Sequence, residues 1–90
     1  MNTAQKRVLG ELRKEANILR ELEVSVDMYY EDGNASARQF NDYFRETVDR
    51  IRGYAQTAMD LGLGHLKTVQ KMQRKSEAYA AGAKIGEVSS

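Results

Sequence analysis

Two groups of basic side chains are the residues of this chain whose type and spacing favour chemistry with an anionic partner. Arg38, Arg45 and Arg52 repeat every seven residues, which places three guanidinium groups along one flank of a helix. A second cluster spans about two turns of a helix and consists of Lys67, Lys71, Arg74 and Lys75. Positioned cations bind phosphates, so both groups are candidate contacts to a nucleic-acid backbone or to an acidic partner.

The alternative for these basic groups is a structural role. Four acids are interleaved with the arginines and nearly cancel their field: Asp42, Glu46, Asp49 and Asp60. The arginines then pair with acids of a neighbouring helix, and the lysines form a solvated face. The net charge of +1 conceals a mild gradient, from −2 over residues 1–32 to +3 over residues 61–90.

Groups for catalysis are scarce in this sequence. It has one histidine, His65, and no cysteine, so it lacks a thiolate metal site and a nucleophile paired with a base. Gly62-Leu63-Gly64 lacks the further glycine and the lysine of a phosphate-binding loop. We therefore expect no enzymatic activity, no metal and no cofactor.

The elements that carry these residues follow from an apolar pattern with gaps of three and four, which is typical of helices. On both sides of a break at Glu31-Asp32-Gly33-Asn34, the pattern marks one face of a helix. Before the break, its members are Leu9, Leu12, Ala16, Leu19, Val26 and Tyr30, and the charged residue Glu23 occupies one position of the pattern. After the break, they are Ala37, Phe40, Phe44, Val48, Ile51, Ala55 and Ala58. The sequence predicts an all-α fold, an antiparallel hairpin of two long helices followed by a C-terminal helix.

The predicted bounds come from capping signals. Asn2 or Thr3 caps the first helix, with Gln5 placed to bond back to Asn2. Ser36 and Gln39 form a second capping pattern, so the second helix is expected to open near Ala37. We predict one domain over residues 1–80, with helices at about 3–30, 37–60 and 64–80, and a frayed or disordered tail over 81–90.

Each long helix also carries a second apolar stripe beside its main one. The second stripe of the first helix consists of Ile18, Leu22 and Tyr29. The second stripe of the second helix consists of Tyr43, Tyr54 and Leu61. A two-helix hairpin leaves such stripes in water, so a third helical surface is implied, from this chain or from another copy. These six residues are the predicted protein-binding surface.

Gly62 and Gly64 leave the end of the second helix open to two interpretations. Two glycines favour a bend and an internal three-helix bundle. The heptad phase nevertheless continues without a slip through Gly62, His65, Val69, Met72, Ser76, Tyr79 and Ala83. A continuous helix would have to find its partner in a second chain, as in a dimeric coiled-coil-like bundle.

The remaining expectations rest on composition. The first residues lack the apolar run of a signal peptide, and no stretch is long and apolar enough for a membrane span, which predicts a cytoplasmic protein without a membrane partner. The leading hypothesis is a non-enzymatic module that binds another protein as an adaptor, chaperone or inhibitor, and that forms a homodimer. The alternative is a small nucleic-acid-associated regulator.

Overall fold

The fold is a small bundle of three helices, seen in a computed structural model that describes residues 1–31 and 34–85. Helix α1 spans Thr3–Glu31, α2 spans Asn34–Asp60 and α3 spans Lys67–Ala80. The described residues contain no strand. The all-α prediction, the hairpin and the third helix are thereby confirmed.

Helices α1 and α2 form an antiparallel pair. The Arg50 side chain bonds to Glu15, and the Gln5 side chain bonds to the Leu61 carbonyl, so the start of α1 lies beside the end of α2. Both helices bury most of the predicted apolar pattern, with Ala16, Glu23, Val26 and Ala37 half-buried and the side chain of Tyr30 outside the described residues. Their buried core members are Val8, Leu9, Leu12, Leu19, Leu22, Phe40, Phe44, Val48, Ile51, Ala55 and Ala58.

The start of α1 is the predicted capping box. The Gln5 amide N–H donates to Oδ1 of Asn2 at 2.8 Å, and the Asn2 N–H donates to Oε1 of Gln5 at 2.9 Å. Nε2 of Gln5 also donates to the Leu61 carbonyl at 2.8 Å. One side chain thus caps α1 and holds the end of α2 beside it.

Helix α2 begins three residues earlier than the sequence predicted, at Asn34 instead of Ala37. The break between the long helices is therefore shorter than its sequence suggested. The predicted capping pattern of Ser36 with Gln39 lies outside the residues whose side chains are described.

The chain bends after α2, so the broken form of the molecule is the one observed. Gly62 has φ +81°, its N–H donates to the Met59 carbonyl, and the Leu63 N–H donates to the Ala58 carbonyl. This pair of bonds is a Schellman motif, and Leu63 is buried where the motif places an apolar contact. Helix α3 then begins at Lys67, three residues later than predicted.

Helix α3 returns along α2 and parallel to α1, but it is only half as long as they are. It has 14 residues, against 29 in α1 and 27 in α2. The Tyr79 ring meets the Phe44 ring edge to face at 4.9 Å, and this contact marks the end of α3 along the hairpin. Beyond it lies a segment that we call the tip, residues 24–31 of α1 and 34–43 of α2.

The segment after α3 begins with a turn, and the frayed or disordered tail predicted over residues 81–90 stays a prediction. Gly82 has φ +100° and forms a second Schellman motif, in which the Ala83 N–H donates to the Ala78 carbonyl. Ile85 packs against the core. Residues 86–90 of the expected tail lie outside the described residues.

The second stripes lie on the side of the hairpin opposite α3. On α1, Ile18 and Leu22 follow Glu15, which faces α2, at helical spacing. On α2, Tyr43, Tyr54 and Leu61 share the flank of Arg50, while Phe44 on the other flank meets α3. The third helix therefore does not cover the stripes, because its contacts with Glu23 and Phe44 hold it on the opposite flank.

Candidate protein-binding surface

A buried polar cluster fixes α3 against α1. Nζ of Lys75 donates to Oε1 of Glu23 at 2.9 Å, and the Tyr79 hydroxyl donates to Oε2 of the same carboxylate. Lys75 is buried, and the Glu23 side chain is only 12% exposed. Both carboxylate oxygens are used, so α3 has one register on α1 in which the buried charges are paired.

A second ion pair fixes α1 against α2 near the middle of the hairpin. Nε of Arg50 donates to Oε1 of Glu15 at 2.9 Å, and Nη2 donates to the Thr47 hydroxyl at 3.2 Å. The hydrogen bond that Arg50 donates to Glu15 raises the pKa of Arg50, against a smaller opposing effect of burial. A raised pKa keeps the guanidinium charged, so the stability that Arg50 contributes is lost on the alkaline side only above the ordinary pKa of arginine.

Three of the five large apolar side chains that are exposed among the described residues lie at the tip, and the other two, Met1 and Met59, lie by the start of α1 and the end of α2. Val24 is 78% exposed, Met28 is 65% exposed and Tyr43 is 44% exposed. Val24 and Met28 are four residues apart on α1 and so lie next to each other on its outer face. Tyr43 lies on α2, with its ring 6.0 Å from the Arg50 guanidinium. We call Val24, Met28 and Tyr43 the tip patch.

The sequence around the tip patch is acidic. Residues 21–32 include no lysine or arginine, and they include five acids: Glu21, Glu23, Asp27, Glu31 and Asp32. Among those with described side chains, Glu21 and Asp27 are exposed. Arg20 lies four residues before Val24 on the same face of α1, and Arg50 lies beside Tyr43, so the border of the patch carries charges of both signs.

An open groove of about 850 Å³ lies where α3 ends, beside the tip. Val26, Phe44, Val48 and Ile85 give it an apolar floor. Its charged lining residues are of both signs: Asp27, Arg45, Asp49, Arg52 and Lys84. The mixed charge gives the groove no preference for an anion or a cation.

Each predicted protein-binding residue has a defined place, with one exception. Tyr43 is exposed, and Ile18, Tyr54 and Leu61 are half-buried and pack against the core. Leu22 is a buried core residue and is not available to a partner. The side chain of Tyr29 lies outside the described residues.

The basic groups are divided between two helices. Arg38, Arg45 and Arg52 are exposed on α2, and Lys67 and Arg74 are exposed on α3, with Lys71 half-buried. Lys75 is withdrawn from the predicted phosphate contacts, because it is buried and paired with Glu23.

Sequence reasoning missed Val24 and Met28. They interrupt neither apolar stripe and lie on the polar face of α1, so a search for periodic apolar residues passes over them. They could have been found by their residue type, because they are two large apolar residues on a face that is otherwise polar. Glu23 is the reverse case, because it is a charged residue at a position of the buried apolar pattern.

Comparisons of this chain with protein-family models, with curated proteins and with solved structures found no match. The described part of the chain has no group of three metal-ligating side chains close together. None of its helices has the length and hydropathy that are required to cross a bilayer.

Proposed function

We propose that this chain is a non-enzymatic helical module that binds another protein through the tip patch. The observation that supports this proposal is the position of the exposed apolar side chains. Val24, Met28 and Tyr43 lie on the half of the hairpin that α3 leaves uncovered. Exposed apolar side chains that cluster on one region are typical of protein interaction sites.

The design of the molecule suits an adaptor, a chaperone or an inhibitor that acts inside the cell. The base of the hairpin is fixed by α3 and by two interhelical ion pairs, so the tip is held by a rigid support. Helix faces with apolar residues four apart are a common way to recognise a groove or a second helix.

The proposal is tested by placing a charge at Val24, which is exposed in the tip patch. We expect Val24→Asp to weaken binding to the partner at least tenfold, because an apolar contact of this size supplies about 1.5–3 kcal/mol. The free energy of unfolding should not change, since the side chain is exposed. Asn17→Asp is the matched control, because Asn17 is exposed on the same face of α1, seven residues earlier.

The measurement is affinity capture from cells that express this protein, with wild type and both variants immobilised side by side. A partner that wild type and Asn17→Asp retain at high salt, and that Val24→Asp releases, supports the proposal. High salt screens charge contacts but not apolar burial. Equal retention by all three proteins would show that the tip patch is not the binding surface.

The nucleic-acid alternative predicts a different response in the same experiment. Binding through the arginines of α2 would release bound nucleic acid steeply as salt rises. Replacing Arg38, Arg45 and Arg52 by glutamine would abolish that retention, and Val24→Asp would leave it unchanged. Retained nucleic acid with this behaviour would support the alternative and contradict the tip proposal.

A further inference from the structure

The residues that α3 buries continue the heptad register of α2. From Ile51, Ala55 and Ala58, alternating steps of four and three lead across the bend to the residues that α3 buries. Four of them lie in this register: Val69, Met72, Ser76 and Tyr79. Lys75 is the only buried residue of α3 outside it. A bend does not require this continuity, because a loop of six residues allows any rotation of the following helix. A single helix running through both segments does require it.

We propose that α3 is exchanged between two copies of this chain, with α2 and α3 joined into one helix over residues 34–80. Each α3 then packs on the α1–α2 hairpin of the other copy. Lys75 of one copy bonds to Glu23 of the other, and Tyr79 of one copy meets Phe44 of the other. The partner is a second copy, because it alone offers the same pocket for α3.

The geometry of the hairpin allows this exchange. Helix α3 leaves from the open end of the hairpin, where Gln5 bonds to Leu61, and runs toward the tip. A straightened α3 continues away from its own hairpin and enters a second one at its open end in the same direction. The two hairpins therefore lie end to end with their tips outward. The exchange leaves the tip patch untouched, so it stands independently of the proposed function.

Few contacts hold the bend over residues 61–66. Its backbone bonds, Gly62 to Met59 and Leu63 to Ala58, are replaced by regular helical bonds when the chain straightens. The sequence has no proline to stop the helix. The side chains that hold the bend are Gln5, on the Leu61 carbonyl, Gln70, on the Gly64 carbonyl at 2.9 Å, and Leu63, which is buried in the core. Domain exchange through a short hinge is a low-cost route to a dimer.

The first test crosslinks α2 to α3. Gln56 and Gln73 line the same cleft between the two helices, and the chain has no cysteine of its own. A variant with both Gln56→Cys and Gln73→Cys is refolded at high protein concentration and treated with a short bis-maleimide. Exchange predicts a covalent dimer on a denaturing gel, in a fraction that rises with the concentration during refolding. The single variant Gln56→Cys measures dimers formed by collision.

The second test changes the hinge. In Gly62→Ala, alanine disfavours φ +81° but favours a helix, and no atom lies within 4 Å of the added Cβ. We expect the dissociation constant of the dimer to fall at least tenfold, because the change acts at both hinges. Light scattering should show a mass twice 10.2 kDa. Gly53→Ala is the matched control, with equally open space but in the middle of α2.

Two results would overturn the proposal. One is a crosslink that stays within single chains, in both the wild-type hinge and the Gly62→Ala hinge. The other is a Gly53→Ala protein that dimerises as strongly as Gly62→Ala, since the hinge would then have no special role. A dimer that forms through the tip patch also gives only intramolecular crosslinks in this test, so the two kinds of dimer are distinguished.

Discussion

Glu23 is a charged residue in an apolar position of α1, and it is the residue on which the attachment of α3 depends. Its carboxylate accepts hydrogen bonds from Lys75 and Tyr79, both contributed by α3. A buried carboxylate with two donors fixes how two helices meet, although an apolar pair of the same shape is often as stable. The role of Glu23 is therefore to select one register of α3.

Replacing Glu23 by glutamine should lower the free energy of unfolding by about 3 kcal/mol. The variant leaves the ammonium group of Lys75 buried without a counter-charge, while the Tyr79 hydroxyl can still donate to the amide oxygen. Urea denaturation followed by circular dichroism measures the change. Combining Glu23→Gln with Lys75→Met should recover most of the loss, because no buried charge then remains.

The surface pair of Glu11 with Lys14 provides the comparison for that prediction. Their side chains are 39% and 71% exposed and 3.7 Å apart, so Glu11→Gln should change the free energy of unfolding by less than about 1 kcal/mol. An equal loss in Glu11→Gln and Glu23→Gln would contradict the role assigned to the buried cluster.

At the scale of the helices, both observed bends are set by a glycine that follows a helix. Gly62 and Gly82 have φ of +81° and +100°, and each forms the two backbone bonds of a Schellman motif. The motif ends the helix and turns an apolar residue inward, Leu63 after the first and Ile85 shortly after the second. Two short segments therefore determine how much of the hairpin is covered.

We expect Gly82→Ala to lower the free energy of unfolding by about 1 kcal/mol, because alanine disfavours the left-handed backbone. Gly53→Ala should instead raise it by about 0.5–1 kcal/mol, since Gly53 lies within α2 with nothing within 4 Å of an added Cβ. Thermal unfolding of the two variants at low protein concentration measures both changes. Changes of the same sign would show that the glycine at the end of α3 is not required for its backbone.

The helices could be predicted from sequence because their signals are local. The apolar pattern gave the core of α1 and α2, and Asn2 with Gln5 gave the capping box. The flank to which α3 attaches could not be predicted, because Lys75 is found beside Glu23 only after the chain has folded back. The same reason explains why Leu22 was expected at the surface: its burial depends on the angle between α1 and α2.

Of the candidate surface, sequence alone identified Tyr43 and missed Val24 and Met28. Periodicity finds residues that belong to a buried face, and these two lie on the opposite face of α1. Their exposure follows from their place on that face. An apolar residue on a polar helical face is a signal that periodicity ignores.

For the molecule as a whole, the uneven cover of the hairpin predicts uneven local stability. The molecule measures 46 × 21 × 17 Å, and the half that includes α3 contains most of the core. We expect amide hydrogens of residues 24–28 and 37–43 to exchange faster than those of residues 8–22 and 44–58, because local opening there exposes less apolar surface. Hydrogen exchange followed by mass spectrometry measures the difference. Uniform protection along both long helices would contradict this expectation.

The two tethers that reach α1 from the later chain have a consequence for biosynthesis. Gln5 bonds to Leu61 and Glu23 bonds to Tyr79, and each pair is 56 residues apart. Translation adds about 5–20 residues each second, so each of these partners of α1 is made roughly 3–11 seconds later. During that interval the apolar face of α1 lacks its final cover. The nascent protein is therefore most open to chaperones and to aggregation before α3 has been translated.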